Sequence, residues 1–431
     1  MATPSKTATI LIIGGGVFGL STALELSNRG YKDITVLDRH LPPVPDGSSV
    51  DISRIIRPDY ADEFYARMGL DALRGWTNEY TEFFHRSGLL CVQSQGSTRH
   101  TYLEQSKQNL SRLGESMTIQ TFQGNEIMHR HPGIHGDLTH TSGYINVNCG
   151  WADAEGSIAH LARLCTRAGV SFIAGKNGTV TDLVTQAIQG KKKKITGVRT
   201  LSGRSISADM VILATGAWTS HLIEMGNRTI STGQPVGFMK LTEREAYQMK
   251  DCPVMIDLST GFFVFPPTPG SHILKMARHG YGYETRHSSS SVHHSNRSFS
   301  GPDISSQRQF LPSDAEHSLR DGLALFLPKF KDRIFSQRRL CWYTDTPKGD
   351  FIVDHHPEYE NLFLATGGSG HAFKFLPVLG RHIVDNFEGK ASEEQRQKWA
   401  WKEVASPIHK GDGSRGGPPR RALSREEQAH L

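Results

Sequence analysis

The sequence predicts a mixed α/β (α+β) fold in which a Rossmann-like dinucleotide-binding domain is interleaved with a second domain built on a mostly antiparallel β-sheet. Three observations predict it. An apolar, β-branched run near the start leads directly into a glycine turn and a helix; apolar strands ending in glycine turns return late in the chain; and the segments between carry short strand-like runs of a different character.

Residues 8–13, ATILII, read as a strand, GGGVFG as the turn, and LSTALELSNRG as a helix with apolar positions at helical spacing. ITVLD, residues 34–38, supplies the next strand and ends in Asp38, at the spacing where an acid bonds a ribose hydroxyl. The glycines serve separate purposes. Gly14 permits the sharp turn, Gly16 lets a pyrophosphate approach the backbone, and Gly19 lets helix and strand pack closely. The helix N-terminus at Val17 and Phe18 then offers unpaired N–H groups to phosphates.

Supporting pieces follow at a distance. VSFIAG, TVTDLV and MVILATGAW fall between residues 170 and 218, and LFLATGGSGHAF at 362–373 repeats the pattern of an apolar strand closing on a small-residue turn. Two late glycine turns suit a long cofactor lying across the domain better than a compact nicotinamide half-site, with two ordinary strand-to-helix turns as the alternative. The dinucleotide domain is therefore placed at 8–85, 150–230 and 345–395. GLLCVQS, GQPVGFMKLT, CPVMIDL, GFFVFP and HILKMARHGY read as strands of the second domain, placed at 86–149 and 231–344. The Ser/His-rich stretch 285–302 reads as a mobile surface loop without ligand spacing.

Composition excludes several classes. The formal charge of +6 comes from dispersed basic residues, and the one dense run, Lys191 to Lys194, has no aromatics threaded through it; it reads as a hairpin tip, and no nucleic-acid partner is expected. No window approaches the roughly 18 uninterrupted apolar residues of a membrane span. The five cysteines (Cys91, Cys149, Cys165, Cys252 and Cys341) show neither a disulfide framework nor a metal-ligand spacing, which fits a reducing compartment and no metal.

GGGVFG with LDRH, SRIIRPDY, ATGAW, KMARHGY, CWYTDTP, DHHPEYENLFLATG and GSGHAFKF together resemble the monomeric sarcosine oxidase family, which includes pipecolate, saccharopine and fructosyl amino acid oxidases. The resemblance runs from about residue 8 to residue 390. It implies an FAD domain of the p-hydroxybenzoate hydroxylase type, with the active site between the two domains. The cofactor-binding residues it implies are Gly14, Gly16, Val17, Phe18, Gly19, Asp38, Arg39, Val180, Gly216, Gly368, Gly370 and Lys374, with Cys341 joined covalently to the flavin. A thiol must be deprotonated to form such a bond, and neighbouring Arg338 and Arg339 would favour the thiolate.

The resemblance further gives Arg57 and Lys374 to a substrate carboxylate, which suits a guanidinium and an ammonium in a site that excludes water. Arg54 and His371 are implied beside the flavin, Lys275 as the activator of dioxygen, and His279, on the same strand face as Lys275 by period two, at the substrate. Phe263 in GFFVFP stands where sarcosine oxidases carry a tyrosine, which puts the substrate in doubt. The implied reaction takes a hydride equivalent from a secondary amine amino acid to flavin N5, releases an imine that hydrolyses, and reduces O2 to H2O2. Saccharopine is the first expected substrate, with Arg278 and His279 as extra cations for further carboxylates. Fructosyl amino acids, or an amino-acid-derived amine of secondary metabolism, are the alternatives. A flavin-binding protein without catalysis and an NAD-dependent dehydrogenase are the rival classes.

From residue 406 the chain turns Gly/Pro/Arg-rich and reads as a flexible tail, 406–431, ending in Ala429-His430-Leu431. That tripeptide is a variant of the peroxisomal SKL signal. A peroxisomal import receptor is thus an expected partner and the peroxisome the expected location, with the cytoplasm if the signal is unused. A monomer is expected.

Overall fold

A computed structural model of the chain describes residues 3–94, 100–188, 193–285, 309–405 and 408–431. Its six-stranded sheet runs in the order Ile352–His355, Leu362–Thr366, Met210–Leu213, Thr9–Ile13, Asp33–Leu37, Ser171–Ile173, all parallel except the first. The opening strand sits inside this sheet, so both of its faces are buried: Ile10 and Ile12 enter one core with the helices Val17–Asn28 and Leu376–Phe387, and Leu11 and Ile13 enter the core on the other side. Two buried faces are why ATILII reads as an unbroken apolar run.

The second sheet has ten strands and brings together Leu89–Ser94, Ile119–Gln123, Thr141–Asn146, Ile230–Lys240, Val254–Asp257, Phe262–Val264, Ile273–Arg278 and Tyr283–Glu284. Gln337–Asp345 pairs antiparallel along its whole length with residues 230–238 of Ile230–Lys240. One face packs on helix Ser313–Phe326, where Ala315, Leu319, Leu323 and Phe326 meet Phe262, Val264, Leu274 and Met276. The other face, with Phe263, Ala277 and Cys341, turns toward the first domain.

Val180–Ala187 and Lys193–Thr200 form the antiparallel pair expected around the lysine run, whose tip at Lys191 lies outside the described residues. All of the Ser/His-rich stretch beyond Thr285 also lies outside them.

The flexible tail expected from residue 406 is corrected by the packing of residues 408–431. Arg421–Ala422 pairs with Tyr283–Glu284 as the edge strand of the large sheet, and Ser414, Arg415 and Leu423 are buried. The short helix Arg425–Gln428 is capped by Ser424 and Glu427, the His430 ring stacks 5.0 Å from Phe310, and Leu431 rests on the core. A glycine- and proline-rich composition reads as flexible because it lacks local period; here it is held by hydrogen bonds to distant backbone, which composition does not carry.

Candidate functional site

One cavity of about 380 Å³ lies over the carboxyl ends of the parallel strands, the position where open α/β sheets hold their ligands. Its floor is the first glycine turn. Gly14 has φ +113°, and a Cβ there would fall 2.4 Å from the Ala214 carbonyl oxygen. A Cβ on Gly19 would lie 1.9 Å from the Gly14 carbonyl oxygen, so the helix reaches the strand only because both positions are glycine. Gly16 has the Ser49 side chain near its missing Cβ, with the hydroxyl at 3.0 Å, and Val17 and Phe18 also line the cavity.

Asp38 stands at the end of its strand. One carboxylate oxygen accepts from the Gly15 N–H at 2.7 Å, and the other from the Arg39 N–H at 2.6 Å. It thus holds the glycine turn, and a carboxylate's remaining acceptor positions are those left for a ribose hydroxyl. Burial raises its pKa, against these two backbone bonds. Arg39 lies 4.7 Å over the Trp218 ring, and Val180, Leu201 and Gly216 continue the wall. The same cavity extends to Arg54, Tyr343, Gly368, Gly370 and His371. Gly370 has φ +74°, and a Cβ there would enter the Tyr343 ring at 2.2 Å. A continuous cleft from a ribose carboxylate, over a bare glycine turn, to a second glycine turn fits an FAD in extended form.

A second cavity adjoins the far end and shares Arg54, Tyr343, Gly370, His371 and Phe373 with the first. Phe263, Lys275, Ala277, His279, Cys341, Arg57 and Lys374 line it as well. Strand alternation sends Lys275, Ala277 and His279 into the cavity and Arg278 to the opposite face. There Arg278 donates to the Ser318 hydroxyl at 2.8 Å and to Tyr283 Oη at 3.2 Å. The expectation that Arg278 supplies an extra cation at the site is therefore corrected. His279 is no cation either: burial and the nearby Arg415 guanidinium push its pKa well below the imidazole range.

Lys275 is buried at the cavity wall, with Nζ 2.8 Å from Asp51 Oδ2 and 2.6 Å from the Ser53 carbonyl oxygen. Burial pulls its pKa down to about 7 against the opposing Asp51 charge. Asp51 also meets Arg54 Nη1 at 2.5 Å and Arg339 Nη2 at 3.3 Å. Burial alone would raise its carboxyl, but these three cations hold it below the usual range. Cys341, on Gln337–Asp345, has Sγ 3.8 Å from Arg54 Nη2. The cation beside the thiol is thus Arg54; Arg338, expected in that role, turns away to Glu316 at 2.6 Å, and Arg339 binds Asp51.

On the other side, Arg57 is buried against Tyr102, whose hydroxyl accepts from both Nη atoms at 3.3 and 3.4 Å. Lys374 donates to Tyr60 Oη at 2.9 Å and to the His371 carbonyl oxygen at 3.3 Å. The Tyr60 hydroxyl meets His371 Nδ1 at 2.9 Å, and His371 Nε2 meets the Gly349 carbonyl oxygen at 2.8 Å. Burial and Lys374 push His371 down to about 3, so its imidazole is neutral. Residues 412–415 close this end. The Ser414 hydroxyl is 3.0 Å from His279 Nε2 and donates to Asp412, while Arg415 joins Asp345 and the carbonyl oxygens of Gly280 and Ser369. Burial would raise Asp412, but His371 and Ser414 hold it down at about 2.

Every implied catalytic and substrate residue, Lys275, Arg54, His371, His279, Arg57, Lys374 and Phe263, borders the second cavity together with Cys341. Sequence reasoning missed Asp51, Tyr60, Tyr343 and the Asp412–Arg415 segment. Tyr343 carried a signal, since period two from Cys341 puts both on one strand face. The Asp412–Arg415 segment carried none.

The family model for FAD dependent oxidoreductases matches residues 9–386. L-saccharopine oxidase of Schizosaccharomyces pombe is 33% identical over 411 residues, covering 92% of this chain and 93% of its own. Peroxisomal sarcosine oxidase of Homo sapiens is 27% identical and covers 89% of this chain and 93% of its own. Among solved structures, fructosyl peptide oxidase from E. terrenum superposes with a TM-score of 0.86 at 28% identity, over 99% of this chain and 100% of that one.

Proposed function

From the premise that the chain belongs to the FAD dependent oxidoreductase family, as an oxidase of an amine or amino-acid substrate that yields H2O2, we propose that it acts on an N-substituted amino acid whose nitrogen carries a polyhydroxyl substituent, the fructosyl amino acid class. The observation that carries this reading is the Asp412 carboxylate, which accepts from the Ser414 hydroxyl, itself 3.0 Å from His279 Nε2 at the second cavity. A fixed carboxylate accepts hydrogen bonds from sugar hydroxyls and repels a further substrate carboxylate. The loss of Arg278 from the site removes the cation that a dicarboxylic N-substituent would need. The overall likeness to a fructosyl peptide oxidase supports the same choice. A saccharopine-type substrate is the second reading, favoured by the 33% identity to L-saccharopine oxidase.

FAD, held by the glycine turns and Asp38, would supply the acceptor for the substrate's α hydride and the route of its electrons to O2. The chain supplies the rest. Arg57 and Lys374 hold the carboxylate, Phe263 and Phe265 exclude water, and together they fix the α carbon against the wall shared by both cavities. The Lys275 ammonium, in its charged form, stabilises negative charge developing on O2. Cys341 would tether the cofactor, with the Arg54 guanidinium beside its sulfur. A peroxisomal location is supported by the chain's likeness to a peroxisomal sarcosine oxidase. Peroxide release with fructosyl-lysine, fructosyl-valine, saccharopine, pipecolate and sarcosine tests the substrate: turnover of saccharopine above both fructosyl compounds would overturn the first reading.

A further inference from the structure

Lys374 is placed unusually for a lysine that pairs with a carboxylate. Its side chain is buried, and among the described residues no carboxylate comes within ion-pair distance of Nζ; its two bonds go to neutral oxygens, Tyr60 Oη and the His371 carbonyl. Those bonds are directional. The Gly349 carbonyl can only accept, so His371 Nε2 carries the proton and Nδ1 is the acceptor. Tyr60 therefore donates to Nδ1 and presents a lone pair to Lys374.

An amine nitrogen is tetrahedral, and Cε, Tyr60 Oη and the His371 oxygen account for three of the directions around Nζ. The remaining direction is the one left for the cavity that Lys374 lines. In a neutral amine both N–H bonds are used by the two oxygens, and that direction holds the lone pair. In an ammonium it holds the third N–H. A buried ammonium with no carboxylate at ion-pair distance among the described residues, facing the Arg57 guanidinium, is the less stable of the two forms.

We propose that Lys374 waits as the neutral amine and takes the proton of the incoming substrate's nitrogen. The N–H bond of the substrate ammonium breaks and an N–H bond forms on Nζ. One transfer thereby creates both the ammonium that pairs with the substrate carboxylate and the free amine whose lone pair assists loss of the α hydride. Tyr60 is a positioning residue: it fixes Nζ through the chain to His371 and Gly349. The groups facing Lys374 are Arg57, which disfavours its charge, Asp412 and Asp59, which favour it, the Cys149 thiol, and the neutral Tyr60 and His371; burial is the largest influence, and the pKa lies well below the ordinary lysine value. The inference rests on the reading of Arg57 and Lys374 as the carboxylate site.

The test is calorimetric titration of the holoenzyme with methoxyacetate, in which oxygen replaces the substrate's nitrogen, at pH near 7.5 in buffers of differing ionisation enthalpy. Methoxyacetate is fully ionised there and brings no proton, so binding should draw about one proton from the buffer onto Nζ. Lys374→Arg, permanently charged, should bind the probe without uptake, and Lys374→Met should bind it weakly and also without uptake. Binding to the wild-type enzyme with no proton uptake would overturn the inference while leaving the carboxylate site intact. Uptake that persists in Lys374→Met would also overturn it, since a histidine would then be the acceptor. Absence of any binding to the wild type would overturn the carboxylate reading, and the inference with it.

Discussion

Replacing Asp51 by asparagine separates the charge of Lys275 from its presence. In the protein the carboxylate stands 2.8 Å from Lys275 Nζ, 2.5 Å from Arg54 and 3.3 Å from Arg339. At an effective dielectric near 20, one contact of that length is worth at most about 6 kcal/mol of Coulomb attraction. Part of it is offset by repulsion among the three cations that the carboxylate gathers. If about 2.7 kcal/mol is lost, the lysine pKa falls by about two units, at roughly 1.4 kcal/mol for each. The arginines cannot release a proton, so Lys275 is the group that gives way.

The sign follows from the ammonium, which is charged below its pKa and neutral above. In the wild-type enzyme the oxygen step proposed for Lys275 should be fast on the acid side and weaken as pH rises through about 7. In Asp51→Asn the same fall comes about two units lower, so at pH near 7.5 the charged fraction is roughly 50- to 100-fold smaller than in the wild type. The assay mixes anaerobically reduced enzyme with oxygenated buffer across a pH series and follows the flavin absorbance, with reduction by substrate timed separately. Lys275→Met sets the floor at every pH. Equal reoxidation of Asp51→Asn and wild type near pH 7.5, or a loss that acid does not restore, would refute the assignment of Lys275's charge to the oxygen step.

Cys341→Ala should leave flavin in the supernatant after acid precipitation, where the wild-type pellet stays yellow; free flavin from the wild type would exclude the covalent tether. Arg57→Leu should raise KM by roughly 30-fold or more, the equivalent of about 2 kcal/mol of lost ionic hydrogen bonding, with a smaller change in limiting reduction rate. Arg415→Met leaves Asp345 buried without its guanidinium and should cost about 3–5 kcal/mol of stability, read as a lowered Tm. Asp345→Asn in the same chain should restore part of it, and a Tm unchanged in the single variant would mean that the C-terminal segment holds nothing together.

The dinucleotide half of the fold was legible because its signals are local. Strand, glycine turn, helix and Asp38 fall within the first forty residues of the chain, and both faces of that first strand are buried, so its apolar run is unbroken. Period two likewise placed Lys275 and His279 on one face, and the same rule, applied to Arg278, would have removed it from the site. The residues that escaped notice act across long separations. Asp51 reaches Lys275 and Arg339, Tyr60 reaches His371 and Lys374, and Arg415 reaches Asp345.

These long-range partners share a physical origin. The site gathers Arg54, Arg57, Lys275, Arg339 and Lys374 at a junction between two sheets, where a large desolvation penalty falls on every charge. Such a junction needs either a buried counter-charge or a neutral form for each cation. Asp51 supplies the counter-charge for Lys275, Arg54 and Arg339. Lys374, bonded only to neutral oxygens, takes the neutral form, and Arg57, which has no neutral form to take, lies beside the Tyr102 hydroxyl with Asp59 near enough to favour its charge. The two lysines of the site thus begin from opposite electrostatic settings, and that difference suits one to the proposed stabilisation of charge developing on oxygen and the other to the proposed uptake of the proton on the substrate's nitrogen.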